Sequence, residues 1–143
     1  MNNIHKEGDL VDNRTDKRIT GDIGEQIAAE FLMKRGFTIK DRNYLRKYGE
    51  IDIVSSKEGT YHFIEVKTVS CESISQVLHE THDRYRPEDN VHPWKLKRLG
   101  RVIQAYILDK RLWDIDWVLD IVTVYIDKRT GESTLKIIED IVI

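Results

Sequence analysis

The chain has 143 residues and a net charge of −2, with 40% hydrophobic and 34% charged side chains, which predicts one globular domain. The balanced charge excludes a uniformly basic protein, so a nucleic-acid partner would need a local basic surface. The single cysteine excludes an internal disulfide framework and a zinc site built from several cysteines. Because no stretch approaches the roughly 18 apolar residues of a membrane span, we expect a cytoplasmic protein.

The N-terminal part of the chain predicts a tail followed by a helix. Residues 1–18 are polar and mixed in charge, so we expect a flexible tail, with the folded domain covering residues 19–143. Apolar residues at helical spacing predict a helix over residues 20–34. Gly36 suits the position just beyond the end of that helix.

The next part of the chain predicts three strands. Residues 37–39 favour a short strand, and residues 42–44 an irregular connection. Two longer strands follow over residues 49–55 and 60–69, and a tight turn at residues 58–59 would join them as a hairpin.

The C-terminal half predicts a second helix and a second hairpin. Residues 70–91 are polar and suggest a loop holding a short helix. Residues 93–110 show the helical period behind an N-terminal proline. Strands are predicted over residues 117–126 and 134–143. The order α-β-β-β-α-β-β indicates an α/β domain, with one mixed sheet flanked by helices and the apolar segment 121–124 in its interior.

Acidic residues interrupt the apolar sequence of the first long hairpin. Strand alternation predicts Glu50, Asp52 and Val54 on one face. Ile51 and Ile53 are then expected on the opposite face. An acid at such a position needs a physical explanation, because a buried carboxylate is costly unless it is paired.

The two long strands predict a pair of opposed acids. A two-residue turn at residues 58–59 would place Asp52 directly across from Glu65, which shares its face with Lys67. Like charges in direct opposition destabilise a sheet, so the pair needs a compensating cation. Lys67 supplies one positive charge, and a divalent metal would supply two. Oxygen-only ligands favour a hard ion such as Mg²⁺ or Mn²⁺.

Glu25 is a third acid of this pattern, and each of the three acids also has an explanation that involves no metal. Glu25 lies in the same sector of the first helix as its apolar residues, so we expect it to face inward. Glu65 and Lys67 also suit an ordinary ion pair, and Asp52 a strand-end residue bonded to backbone. Glu25 suits a first-turn acid favoured by the helix dipole. Three such anomalies together favour a metal site.

Five segments carry a resemblance to a known bacterial family. They are GDIGEQIAAEFLMKRGFTIKDRN, GEIDIV, HFIEVKTV, HPWKLKRLGRVIQAYIL and WVLDIV. The set resembles the YraN-like family, small proteins of largely unassigned role that look like PD-(D/E)XK nucleases and archaeal Holliday junction resolvases. The resemblance covers most of residues 21–124. Residues 68–91 depart from the glycine-containing pattern of the family, and residues before Ile19 lie outside the match.

The resemblance implies a restriction-endonuclease-like fold and assigns roles to the acidic site. Asp52 and Glu65 would bind Mg²⁺, and Lys67 would position or activate the attacking water. Glu25 would complete the site from the first helix. The carbonyl of Val66 is a further expected metal ligand.

The second helix predicts a phosphate-contacting surface. Lys95, Lys97, Arg98 and Arg101 place cations on its first turns, near its positive end. A solvated helix face explains Lys97 and Arg98 equally well. Lys95 and Asp120 also match positions of the resembling family, where they suggest substrate contact and structural support.

These observations predict a Mg²⁺-dependent endonuclease acting on DNA, including branched or structured DNA. By analogy with junction resolvases, a homodimer is expected. The alternatives are a nucleic-acid-binding or assembly module that cleaves nothing, and a structural protein whose acids are salt-bridged.

Two further residue groups have weaker functional interpretations. His79, His82 and His92, with Cys71, leave a zinc site as a minor alternative, because a closed four-ligand spacing is lacking. The three tryptophans, Trp94, Trp113 and Trp117, are expected in core packing and helix-end burial rather than in base stacking.

Overall fold

The computed structural model describes residues 14–75 and 92–141, which form a five-stranded mixed sheet with a long helix on each face. The elements are α1 (Asp16–Lys34), β1 (Thr38–Arg46), β2 (Gly49–Lys57), β3 (Thr60–Cys71), α2 (Pro93–Asp109), β4 (Asp116–Asp127) and β5 (Ser133–Ile138). The strands lie in the order β1-β2-β3-β4-β5, and β3 and β4 run parallel while the other neighbours run antiparallel. The predicted α/β architecture and element order are confirmed. Within the described ranges, no helix is long and apolar enough to cross a membrane.

The hydrophobic core is divided between the two faces of the sheet. The α1 side contains Ala28, Ala29, Leu32, Ile53, Ile64, Val122 and Val124. The α2 side contains Ile51, Val54, Phe63, Leu99, Val102, Ile103, Tyr106 and Leu119. Because helices cover both faces, the inner strands carry nearly continuous apolar sequence. The predicted interior position of residues 121–124 is confirmed, since all four are buried.

Helix α1 begins earlier than predicted. Its first residue is Asp16, and the side-chain oxygen of Thr15 accepts the N–H of Arg18 at 3.2 Å. This cap and the first-turn acid stabilise the start of the helix, and the prediction of a start at residue 20 overlooked them. The predicted end is confirmed, because Gly36 follows the helix with a φ of +86°. The described part of the chain leaves out residues 1–13.

Strand β1 is longer than the short strand predicted. It includes residues 42–44, which were predicted to be irregular. Pairing with β2 continues past a register shift between Ile39 and Asp41. Asn43 has a φ of +51°, a conformation that asparagine tolerates better than most residues. The polar sequence therefore reflects an edge strand with local irregularities.

The β2–β3 hairpin is confirmed with its predicted turn. Glu58 and Gly59 have φ values of +50° and +83°, as a type I′ turn requires. Lys57 pairs with Thr60 across this turn, and the register then continues to the pairing of Ile53 with Ile64.

The C-terminal elements agree with the prediction except at the chain end. Helix α2 carries its proline in the first turn, as expected. The last strand ends at Ile138, earlier than predicted. Beyond it, Ile141 donates its N–H to the carbonyl of Leu119 at 2.7 Å. The loop and short helix predicted over residues 70–91 fall mostly outside the described residues.

Candidate functional site

The candidate site lies where β2 and β3 separate. Their pairing ends at Ile53 and Ile64, after which β2 stays paired with β1, and β3 with β4. Asp52 is the first residue beyond the last pair, and Glu65 follows on the opposing strand. The Oδ2 of Asp52 accepts the N–H of Val66 at 2.7 Å. The side chain thus supplies a hydrogen bond that a continued ladder would otherwise make.

The alternation of side chains along β2 changes at this fork. Ile51 and Val54 pack on the α2 side of the sheet, whereas Ile53 packs on the α1 side. The prediction that Ile51 and Ile53 share a face is therefore wrong. Asn43, between the β1 residues paired with these two isoleucines, has a left-handed conformation. Beside Asp52, β1 and β2 therefore both depart from regular strand geometry, and this irregularity changes the face to which their side chains point.

Three carboxylates converge at the fork. One oxygen each from Glu25, Glu50 and Asp52 lie within 4.8 Å of one another. Asn43 donates its Nδ2 hydrogen to Glu25 at 2.9 Å, and the predicted inward orientation of Glu25 is confirmed. None of the three acids forms an ion pair with another described residue. The sequence prediction left Glu50 out of the site, although its placement on the same face as Asp52 was the available signal.

A glycine sets the position of the helix that carries Glu25. A Cβ added at Gly24 would lie 1.9 Å from the Oγ1 of Thr68 on β3. The absence of a side chain therefore lets α1 approach the sheet closely at this point. Because Glu25 is the next residue, this approach brings its carboxylate to the fork.

Crowding and burial shift the proton affinity of the acids. Burial, followed by the negative charge of Glu65, raises the pKa of Asp52 to about 9. Burial, followed by the charge of Glu50, also raises the pKa of Glu25. Negative charges held close together out of water are destabilising. A divalent cation would offset the repulsion between the acids and stabilise their ionised forms in the buried site. The all-oxygen donor set fits a hard cation of the Mg²⁺ or Mn²⁺ kind.

Glu65 has different neighbours. Its side chain is buried, and its Oε1 lies 2.8 Å from the Nζ of Lys95 and 3.3 Å from the Nζ of Lys67. Burial, followed by the adjacent Lys95, lowers the pKa of Lys67. Burial is the largest single effect on Lys95 and acts against its charge. The hydrogen bond to Glu65, the negative charge of Glu65 and smaller contributions from Lys67 and Asp52 together outweigh it and raise the pKa of Lys95. The two lysines at one carboxylate therefore differ in proton affinity.

A cleft of about 330 Å³ opens beside the fork. Its walls include Asp52 and Glu65 together with the basic residues Lys95 and Arg98. Of the four cations predicted to contact nucleic acid, these two line the cleft. Lys97 and Arg101 are exposed on α2 and do not line it.

The tryptophans are less buried than the sequence predicts. Trp94 is 55% exposed and Trp113 is 65% exposed, so the prediction of core packing is wrong for both. Trp117 does pack on the core, with its ring 5.7 Å from that of Phe63. Trp94 belongs to the wall of the cleft.

Asp120 is held by contacts within the fold and does not line the cleft. It is buried and accepts the N–H of Asp140 at 2.9 Å, and its other oxygen lies 2.6 Å from the Nδ1 of His62. These contacts tie the C-terminal segment to the sheet, in keeping with the structural role suggested for Asp120. The proposed zinc ligands His79 and His82 lie outside the described residues.

Comparison with known proteins gives the chain its relatives. The sequence profile of a family described as "Uncharacterised protein family UPF0102" matches residues 24–124 of this chain. A UPF0102 protein of Acetivibrio thermocellus is 31% identical over 127 residues, covering 88% of this chain and 90% of that protein. A UPF0102 protein of Nitratiruptor is 34% identical over 128 residues, covering 87% and 94%.

A third relative, from Flavobacterium psychrophilum, is 34% identical over 109 residues, covering 76% of this chain and 82% of that protein. All three carry family names without a stated activity. The predicted resemblance to the YraN-like family is confirmed. The chain belongs to the uncharacterised protein family UPF0102.

Proposed function

We propose that this protein is a divalent-metal-dependent endonuclease that hydrolyses phosphodiester bonds in DNA at the fork between β2 and β3. The observation that carries the proposal is the convergence of Glu25, Glu50 and Asp52 within 4.8 Å, with no ion-pair partner among the described residues. Glu65 lines the same cleft as Glu50 and Asp52, and Lys67 lies 3.3 Å from the Oε1 of Glu65. The resemblance to PD-(D/E)XK nucleases supports the same chemistry.

The acid cluster would hold Mg²⁺ or Mn²⁺. Asp52 offers a carboxylate fixed by the N–H of Val66, and Glu25 and Glu50 bring oxygens from α1 and β2. Glu65 is a further ligand that the resemblance implies, and the carbonyl of Val66 is an additional expected ligand. When bound, such an ion supplies Lewis-acid polarisation of a phosphoryl oxygen and lowers the pKa of water.

Lys67 is suited to orient the attacking water and to accept its proton. Burial and the adjacent Lys95 lower the pKa of Lys67, so its neutral fraction at a given pH exceeds that of an exposed lysine. Its position is fixed by Glu65 at 3.3 Å. Lys95 stays charged beside the same carboxylate and, with Arg98 on the cleft wall, can neutralise phosphate.

Metal titration tests the first part of the proposal. Wild-type protein should bind Mn²⁺ and Mg²⁺ in calorimetric titration, and Asp52→Asn should weaken binding at least tenfold because it removes the central carboxylate. Asp114→Asn removes an exposed acid between α2 and β4 and should bind as wild type does. Wild-type protein that binds neither ion would instead be a structural protein with buried acids.

Cleavage assays test the second part. Labelled single-stranded, duplex and four-way-junction DNA, with supercoiled plasmid, should be cut by wild type in Mg²⁺. Lys67→Ala should slow cleavage by about 10²-fold or more, as the loss of a proton-transfer group does. Lys128→Ala, an exposed lysine in the β4–β5 turn, is the matched control. Metal binding and DNA binding without cleavage of any substrate would make the protein a non-cleaving binding module.

A further inference from the structure

Two aromatic side chains stand exposed at the cleft. Trp94, in the first turn of α2, is 55% exposed, and Tyr48, in the turn between β1 and β2, is 41% exposed. Both line the same cleft as Asp52 and Glu65. Isolated exposed apolar residues are common, but two large rings in the wall of a polar cleft are typical of a binding surface.

A cation is stacked on one of these rings. The guanidinium carbon of Arg98 lies 4.7 Å from the centroid of the Trp94 ring, because residues four apart are neighbours on a helix. The ring of His92 lies nearly parallel to that of Trp94, at 8° and a centroid distance of 6.2 Å. Arg98 forms no ion pair with a described residue. Its charge is available to an anion in the cleft.

Flat rings beside an available cation match the chemistry of a nucleotide. A base stacks on an aromatic or guanidinium plane whatever its identity, and the cation meets the attached phosphate. In a duplex both faces of a base are covered by its neighbours, so only an unpaired or extruded base can stack in this way. A volume of about 330 Å³ lies near the lower end of the roughly 300–1,000 Å³ of small-molecule sites. It suits one nucleotide.

We propose that Tyr48, Trp94 and Arg98 form a base-stacking site for one unpaired nucleotide, which places an adjoining phosphate at the acid cluster. The inference rests on the proposed function for the identity of the polymer as DNA. It narrows the substrate class from DNA in general to DNA with an unpaired nucleotide, such as a single strand, a bulge or a flap. The acids and the rings share one cleft, so a stacked base and its phosphate can reach both.

Binding to three matched oligonucleotides tests this site. Each carries the same fluorophore and nearly the same charge: a perfect duplex, a duplex with one bulged nucleotide, and the same bulge with an abasic residue. Anisotropy is measured with Ca²⁺ in place of Mg²⁺, and electrophoresis verifies that the strands stay intact. Because one stacked base contributes about five- to 150-fold in affinity, the bulge should bind at least fivefold more tightly than the abasic bulge.

Variants locate the effect. Trp94→Ala should remove the difference between the bulge and the abasic bulge, and Trp94→Phe should retain most of it because phenylalanine keeps a stacking face. Trp113→Ala removes a ring of similar exposure that is not part of the cleft wall, and should leave the difference unchanged. Equal affinity for bulge and abasic bulge, an equal loss on all three ligands in Trp94→Ala, or no binding to any ligand overturns the inference.

The outcomes separate this inference from the proposed function. Base-dependent binding without cleavage of any DNA would remove the endonuclease and leave the stacking site intact. Cleavage without base-dependent binding would keep the endonuclease and remove the stacking site.

Discussion

Glu65 and Asp52 occupy opposing positions at the fork of β3 and β2, yet they have different electrostatic surroundings. The Oε1 of Glu65 forms ion pairs with two lysines, at 2.8 Å from the Nζ of Lys95 and 3.3 Å from the Nζ of Lys67. Asp52 has two further carboxylates within 4.8 Å and is bonded to a backbone N–H at 2.7 Å. Among the described residues, positive side chains therefore accompany the acid on one side of the fork, and only further acids accompany Asp52 on the other.

The difference shows how a small domain can combine a stable frame with a reactive centre. A buried carboxylate with charged hydrogen-bond partners is held in one geometry by those partners. A carboxylate crowded by other acids is destabilising, or keeps its proton, until a cation arrives. We therefore place metal binding with the crowded acids and proton handling with the lysines at Glu65. The predictions below test each side in turn.

The largest effect is expected where α1 is held against the fork. Gly24→Ala would place a Cβ 1.9 Å from the Oγ1 of Thr68, with two other atoms of that side chain at 2.8 and 2.9 Å. Because the whole threonine side chain blocks the methyl group, α1 must move away from β3 and carry Glu25 with it. We expect a loss of about 2–3 kcal/mol in the free energy of unfolding, measured by urea denaturation, together with weaker Mn²⁺ binding.

A second glycine in the same helix provides the control. A Cβ at Gly21 would meet nothing within 4 Å. Gly21→Ala should therefore be neutral or stabilise the protein by up to about 1 kcal/mol, through helix propensity alone. Equal destabilisation by the two substitutions would mean that the close approach of α1 does not hold the site in place.

The next effect comes from the charge of Asp52. Its pKa is raised from an ordinary value of 3.8 to about 9, chiefly by burial and by Glu65. Between these values the folded protein keeps a proton that the unfolded chain has lost, so stability is fully present below the unfolded pKa and falls as pH rises. Asp52→Asn cannot ionise. In EDTA, the free energy of unfolding of Asp52→Asn should rise relative to that of wild type by about 1–2 kcal/mol between pH 5 and pH 8.5, measured by urea denaturation at both values. This is less than the roughly 1.4 kcal/mol per pH unit of full linkage, because relaxation and water entry reduce the cost of the buried charge.

An exposed acid serves as the comparison for this pH effect. Asp114→Asn should show the wild-type dependence on pH, because its carboxylate lies in solvent. A pH slope that survives in Asp52→Asn would assign the effect to another group and remove the argument that this carboxylate is strained in the absence of metal.

The sequence was sufficient to predict the hairpin that builds the fork. The turn at Glu58 and Gly59 fixes the register, and the register sets Asp52 beside Glu65 whatever the rest of the fold does. The inward orientation of Glu25 also follows from local periodicity. These features depend on residues close together in the chain, so period and turn chemistry determine them.

Other parts of the site depend on packing between distant segments. The contact of Lys95 with Glu65 requires the first turn of α2 to come close to β3, which no local pattern specifies. The shift of alternation at Asp52 accompanies the left-handed conformation of Asn43 on a different strand. The exposure of Trp94 likewise arises from where α2 begins relative to the cleft. A periodic pattern shows the face of an element and not which neighbour covers that face.

Glu50 tests whether the crowded acids act together. Glu50→Gln keeps the shape of the side chain and removes one of the three converging charges. We expect Mn²⁺ affinity to fall about tenfold, because each carboxylate contributes both charge and a ligand oxygen. Glu132→Gln, an exposed glutamate before β5, should leave the affinity unchanged. Calorimetric titration that gives both variants wild-type affinity would exclude Glu50 from the centre.

The smallest effect on stability is expected on the side of the fork where lysines accompany Glu65. Lys95→Met keeps most of the aliphatic stem and removes an ammonium group that is 2.8 Å from Glu65, while Lys67 remains as a partner. The Lys95 side chain is partly exposed and its charge is therefore screened by solvent, so the loss should be about 1 kcal/mol. Lys97→Met changes an exposed lysine of the same helix and should stay within about 0.5 kcal/mol of wild type.

The same substitution has a second consequence that a purely structural role would not produce. After burial, the adjacent Lys95 is the main cause that lowers the pKa of Lys67. Without that neighbouring positive charge, the pKa of Lys67 should rise. The limb of the pH–rate profile on which cleavage becomes faster with increasing pH should therefore move to higher pH. An unshifted profile in Lys95→Met, with cleavage still dependent on Lys67, would show that the two lysines do not interact electrostatically. Burial and Glu65 would then set the reactivity of Lys67 without Lys95.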